Sequence, residues 1–221
     1  MSYERDRRGA NEPYKGDPYA YMSKEKPYAL YVHGMGSGAK SGTKSSLGHY
    51  LDGYEWLSPE LPVEPEEAMA ILEDYVNVFS PTLIAGTSLG GLYLLYLDAP
   101  EAVKVAINPT YNIETTLRRI GYGKHPYHCE REDGATEYTI DEPLVKRYMA
   151  LRDQRTPRAA KRMVALFSTD DELVGREPAK QNAAALQRLG YEIHWCDKFS
   201  HRLNQPAAKL LSKILLENEK P

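Results

Sequence analysis

The chain has 221 residues, of which 42% are apolar and 27% charged, with a formal net charge of −3. That balance suits one globular domain with a sizeable core, and the slight acidity argues against nucleic acid or an anionic membrane as the main partner. No run of about 18 apolar residues is present, so no membrane-spanning helix is expected.

Residues 1–26 are polar, rich in Pro, Gly, Tyr and charge, and lack periodicity. They are expected to form a mobile tail ahead of a single domain over 27–221. The charged opening has no apolar run behind it, unlike a secretory leader. The two cysteines, Cys129 and Cys196, are too few and too far apart for a disulfide framework. Both observations point to a reducing, cytoplasmic compartment.

Residues 28–32 read as the first strand, running into His33-Gly34-Met35-Gly36-Ser37-Gly38. A short helix is expected over 43–51 and a weaker strand over 54–57. Pro65 suits the first turn of a helix, with Glu66 and Glu67 at its positive end. Met69, Leu72, Val76 and Phe79 then mark one helical face. Residues 81–85 read as a buried strand, 89–97 as a buried helix, and 103–107 as a further strand ended by Asn108-Pro109.

The rhythm breaks over 110–150. A short helix is expected at 112–120, a polar loop with aromatics at 121–138, and a helix at 141–151. An insertion at this place in an α/β chain lies over the strand ends, where ligands bind, so a small lid is expected. Residues 162–167 read as a strand and 168–172 as a polar turn. A helix then runs from about Pro178 to Gly190, a suitable C′ residue. The alternation of 191–196 predicts the last strand, followed by the loop 198–201. A final helix carries Leu203, Ala207, Leu210, Leu211, Ile214 and Leu215 on one face. Strands alternating with helices predict a mostly parallel sheet covered on both faces.

Gly86-Thr87-Ser88-Leu89-Gly90-Gly91 fits Gly-x-Ser-x-Gly, the nucleophile elbow, in which a strand turns sharply into a helix and leaves the Ser Oγ exposed. A strand precedes it and an apolar helix follows. A serine hydroxyl needs a base, a group to orient that base, and donors for the oxyanion. In the fold that carries this elbow the chain order is Ser, acid, His. Of six histidines, only His201 lies in a loop between the last strand and the last helix, which makes it the candidate base. The turn after the strand at 162–167 offers Asp170, Asp171 and Glu172 as the acid, and spacing alone does not choose among them. The backbone N–H of Leu89, after the nucleophile, and that of Met35, in the loop after the first strand, are the expected oxyanion donors.

Other readings compete for some of these residues. Gly34 to Ser41 is one residue from a phosphate-binding P-loop, with Ala39 where the second required glycine belongs, and it also matches a variant dinucleotide fingerprint. Neither accounts for Ser88 or His201. His125, His128 and Cys129 are of metal-ligand type, but no second pair answers them at zinc-site spacing. No cofactor and no metal are therefore expected. Two alternatives remain: a non-catalytic hydrolase-like binding protein and, behind it, a nucleotide-binding protein using the Gly-rich loop 34–41.

Assembled, these pieces resemble the YqiA/YcfP-like family of small α/β-hydrolase esterases. The matching residues are Leu30-Tyr31-Val32-His33-Gly34-Met35 with a following serine, Pro59-Glu60-Leu61-Pro62, the elbow at 86–91, Ile107-Asn108-Pro109, Thr169-Asp170-Asp171-Glu172 and Phe199-Ser200-His201. They occur in family order over about 28–216. The family's acid, in a Thr-Gly-Asp-Glu run, falls on Asp171, with Asp170 where the family has Gly. Lys198-Phe199-Ser200 replaces the family's usual Gly-Gly-Asn before the histidine. The resemblance implies an α/β-hydrolase fold and a Ser88–His201–Asp171 triad. The implied reaction is hydrolysis of small-molecule carboxylic esters or acyl thioesters, without a cofactor.

Overall fold

The computed structural model describes residues 26–217; of the tail expected over 1–26, all but Lys26 lies outside them. Short apolar runs bounded by Gly, Pro and Asn give the strands their length, and helical stripes give the layers that cover them. In chain order the main elements are β1 (Tyr28–Val32), α1 (Gly42–Tyr50), β2 (Glu55–Leu57), α2 (Pro65–Phe79), β3 (Leu83–Thr87), α3 (Leu89–Leu94) and β4 (Val103–Ile107). The 110–150 region supplies α4 (Ile113–Ile120), β5 (Gly123–Pro126), β6 (Glu137–Ile140) and α5 (Glu142–Gln154). Next come β7 (Arg162–Ser168), α6 (Arg176–Arg188), β8 (Glu192–Cys196) and α7 (Gln205–Glu217).

The main sheet has six strands in the order β2-β1-β3-β4-β7-β8, and every pairing in it is parallel. Because side chains alternate along a strand, each strand feeds two cores. Leu30, Val32, Ile84, Ala106, Ala165 and Phe167 face a core completed by α2, α3, α5 and α6. Ala29, Tyr31, Leu83, Ala85, Val105, Ile107, Val164 and Leu166 face the other, completed by α1 and α7. Burial on both faces is why these strands read as continuous apolar runs rather than as alternating ones.

Helix ends follow local chemistry. Ser41 caps α1 by accepting from the Thr43 N–H, and Asp141 caps α5 by accepting from the Leu144 N–H. Pro65 opens α2, and Gly190, at φ 90°, follows the Leu189 C-cap of α6. One expectation is corrected: the polar loop at 121–138 contains an antiparallel hairpin. Its strands β5 and β6 pair from Gly123–Ile140 to Pro126–Glu137. The hairpin forms because Tyr138 and Ile140 turn inward, at 8% and 0% exposure, onto the same core as α2 and α5. Among the described residues no helix is long and apolar enough to cross a membrane.

Candidate active site

β3 delivers Thr87, the chain reverses at Ser88, and α3 starts at Leu89. Ser88 has φ 55° and ψ −116°, a conformation that L residues rarely adopt. The glycines around it permit the reversal by close approach. A Cβ on Gly90 would lie 2.1 Å from the Val32 carbonyl oxygen, and one on Gly86 would lie 2.5 Å from the Gly90 carbonyl oxygen. The Ser88 N–H donates to the Ile107 carbonyl at 2.9 Å, while its carbonyl accepts from the Thr110 N–H at 3.1 Å. The half-buried Ser88 Oγ is hydrogen bonded to the buried Thr110 Oγ1 at 3.4 Å.

The loop after β1 lies against the elbow. A Cβ on Gly34 would be 3.1 Å from the Thr87 carbonyl oxygen and 3.2 Å from the Ser88 Cβ, so a larger residue would press the loop and the elbow apart by a few tenths of an ångström. Ser37 N–H donates to the Gly34 carbonyl at 3.2 Å and closes a tight turn, with Gly36 at φ 72°. Neither the Met35 N–H nor the Leu89 N–H has an acceptor among the described residues. His33 is buried behind the turn. Its Nε2 accepts from the Leu61 N–H at 3.1 Å, which leaves the ring proton on Nδ1 to donate to the Gly34 carbonyl at 2.9 Å.

The 168–172 turn and the 198–201 loop are bound to each other. The His201 Nδ1–H donates to the Asp171 carboxylate, at 3.0 Å to Oδ1 and 2.9 Å to Oδ2. Asp171 Oδ1 also accepts from the Leu173 and Val174 N–H groups at 3.0 and 2.8 Å. Burial pushes the Asp171 carboxyl up, but the His201 bond and charge and the two N–H donors outweigh it and hold it below its ordinary range. Asp171 and His201 are 5% and 9% exposed. Of the other two carboxylates in the turn, the exposed Asp170 turns away to solvent, and Glu172 accepts the backbone N–H of His201 at 2.9 Å. Ser168 Oγ donates to the Phe199 carbonyl, and the Thr169 N–H donates to the Cys196 carbonyl at 3.0 Å.

Ser88, Met35, Leu89 and His201 line one cavity of about 590 Å³. Ile113, Thr116, Leu117 and Ile120, one face of α4, form part of its wall with Leu173 and Leu203. Tyr31, Ser41, Thr43, His128, Cys129 and Arg202 give it a polar side. A separate cavity of about 470 Å³, beside Glu73, Tyr96, Asp98 and Arg155, holds none of the expected site residues.

Some contributors have roles that the sequence did not assign. Asn108, at φ 42°, is 2% exposed; its Oδ1 accepts from the Ser168 N–H at 2.7 Å and its Nδ2 donates to the Ser200 and His201 carbonyls at 2.9 Å each. The Asn-Pro pair directly after a strand was the available signal, since Asn tolerates positive φ. Thr110 and Arg131 had none.

Residues 28–215 match the uncharacterised protein family UPF0227. The chain belongs to that family. It is the family to which the motifs at 28–35, 59–62, 86–91, 107–109, 169–172 and 199–201 pointed. None of the curated proteins matches this UPF0227 member. Among solved structures it is similar to Est1E from Butyrivibrio proteoclasticus, with TM-score 0.62, 15% identity, and 88% and 89% of the two chains covered. The esterase domain of a Rhodothermus marinus protein gives TM-score 0.57 and 19% identity over 87% of each chain. A monoacylglycerol lipase from Paleococcus ferrophilus gives 0.59 and 16%, over 87% of this chain and 94% of that one. At these identities the likeness establishes the fold, which is that of the α/β hydrolases.

Proposed function

We propose that this chain is a serine acyl hydrolase acting on small-molecule carboxylic esters or acyl thioesters. The observation that carries the reading is the shared cavity: a serine on a strained strand-to-helix turn opens onto the same space as a histidine whose Nδ1–H is held by a buried carboxylate. Ser88 Oγ leaves its Thr110 contact, attacks the acyl carbon and passes its proton to His201 Nε2. Asp171 fixes the His201 tautomer and stabilises the imidazolium. The N–H groups of Met35 and Leu89, which have no acceptor among the described residues, receive the oxyanion. The tetrahedral intermediate collapses as His201 returns the proton to the leaving alcohol or thiol. Water, deprotonated by His201, then attacks the acyl-Ser88 ester, and the acid is freed as His201 returns that proton to Ser88 Oγ.

The apolar face of α4 suits the acyl chain, and residues 110–150 form the lid over the strand ends. A cytoplasmic location fits the two unpaired cysteines. The test pairs an activity probe with turnover. A fluorophosphonate should label the wild-type chain at Ser88, and p-nitrophenyl butyrate should be hydrolysed. Ser88→Ala should lose both, with turnover down at least about 10³-fold and the circular dichroism spectrum unchanged. Equal turnover in that variant refutes the assignment.

A further inference from the structure

We infer that Arg131, in the connection between β5 and β6, is a positioning residue that aims the Met35 N–H donor at the oxyanion; this rests on the serine-hydrolase reading.

The geometry begins with an unusual burial. The Arg131 side chain is 2% exposed. A buried guanidinium is costly unless its donors are satisfied and its charge is matched. Here Nη1 donates to the Ser37 carbonyl and Nη2 to the Leu61 carbonyl, both at 3.2 Å. Nε donates to Asp133 at 3.0 Å to Oδ1 and 3.1 Å to Oδ2. Glu60 Oε1 lies 2.8 Å from Nη1, and the Tyr127 ring lies 4.2 Å from the guanidinium carbon. One planar fork thus takes carbonyls from two separate loops, which a flexible lysine ammonium would not do in the same geometry.

Both loops bear on one peptide plane. A trans peptide is planar, with its C=O and N–H pointing opposite ways. The Gly34 carbonyl and the Met35 N–H belong to the same peptide unit, so whatever fixes the carbonyl aims the N–H. The Gly34 carbonyl accepts from Ser37 N–H at 3.2 Å and from His33 Nδ1 at 2.9 Å. His33 can donate from Nδ1 because its Nε2 accepts the Leu61 N–H. Arg131 holds the carbonyl of Ser37, whose own N–H reaches the Gly34 carbonyl, and the carbonyl of Leu61, whose N–H holds the His33 ring that makes the second of those bonds. The hairpin closes the turn from a third side: the His128 N–H donates to the Gly36 carbonyl at 2.8 Å, and a Cβ on Gly36 would lie 2.8 Å from the Tyr138 hydroxyl. The 127–138 segment therefore acts as a brace on the oxyanion turn.

A brace that serves the oxyanion has a kinetic signature that a brace serving only the fold lacks. An oxyanion forms in the transition state and not in bound substrate, so its loss lowers kcat and leaves KM. The experiment measures kcat and KM for p-nitrophenyl butyrate, and Ki for an alkyl boronic acid that forms a tetrahedral adduct on the serine, in wild type, Arg131→Lys and Arg131→Met. In Arg131→Met kcat should fall about 100-fold, the scale of one oxyanion donor. KM should stay within about twofold, and boronate Ki should rise in step with the loss of kcat. Arg131→Lys should keep the charge and the fold yet lose at least about 10-fold in kcat. Unchanged kcat in both variants overturns the inference. So does a rise in KM with kcat kept, or unfolding of both variants, which would assign Arg131 to the fold alone. A wild-type chain that neither takes the fluorophosphonate nor turns over the ester refutes the hydrolase reading itself, and the inference with it.

Discussion

At the residue scale, Ser88 carries backbone strain that the rest of the elbow enforces. Its φ of 55° with ψ −116° is a region natural to glycine, and holding a residue with a Cβ there costs about 1–3 kcal/mol. The surrounding bonds are what keep it in place: Ser88 N–H to Ile107, and the Ser88 carbonyl to the N–H groups of Thr110 and Gly91. This separates two variants that should be equally inactive. Ser88→Ala keeps the Cβ and the strain. Ser88→Gly releases the strain while adding some backbone freedom to the unfolded chain, so the net gain over alanine should be about 1 kcal/mol. For a chain of this size that corresponds to roughly 2–4 °C in Tm. Thermal melting of the two variants side by side checks it; an alanine variant that melts at or above the glycine variant would show that the turn is relaxed.

At the scale of elements, the candidate site is held by the ends of neighbouring parallel strands. Asn108, one residue past β4, bonds the last residue of β7 through Ser168 and the loop after β8 through Ser200 and His201. Since Oδ1 must face the Ser168 N–H, the amide nitrogen faces both carbonyls. Asn108→Asp keeps the acceptor, removes both donors and sets a buried carboxylate against two carbonyl oxygens. A loss of about 3 kcal/mol is expected, or roughly 10 °C in Tm. kcat at 20 °C should also drop at least about 10-fold, because the His201 backbone is released; a melt within 2 °C of wild type would refute the bracket. This arrangement also explains what could be read from sequence. Tyr28–Val32, Leu83–Thr87 and Val103–Ile107 are buried on both faces and announce themselves as apolar runs. β5 is Gly-Lys-His-Pro and mostly exposed, and β6 is only four residues long, so the hairpin has no period long enough to see. Ser88 and His201 had distinct positions in the chain order, whereas Asp170, Asp171 and Glu172 are adjacent. Only the approach of the 198–201 loop separates them, placing Asp171 on the His201 ring and Glu172 on the His201 backbone. Arg131 was invisible because the two carbonyls it holds at the oxyanion turn lie 70 and 94 residues away in the chain.

At the scale of the whole molecule, the sheet divides the interior into two apolar layers, and one of them contains a cation. Lys104, the second residue of β4, has 0% exposure and points to the same side as Ala106. Its Nζ donates to the Leu97 carbonyl just beyond α3 at 2.8 Å and to the Arg158 carbonyl before β7 at 2.9 Å, so it ties two connections to the sheet. Burial lowers its ammonium to about 8 from an ordinary 10.5, against an opposing pull from Asp98. Between those two values the unfolded chain carries a proton that the folded chain has released. Stability therefore rises with pH through that window. From pH 8 to 9.5 the gain is roughly 1.5 kcal/mol. The buried tyrosines Tyr93, Tyr148 and Tyr191 are shifted upward by burial, so they act above pH 10 and in the opposite direction. Lys104→Met removes the titrating group and should flatten the contribution. Urea unfolding of both proteins at pH 8, 8.5, 9 and 9.5 should show the wild-type free energy climbing relative to the variant's by that amount. A difference that stays constant across the four pH values would mean that Lys104 keeps its ordinary affinity for the proton, its charge sustained by the two carbonyls.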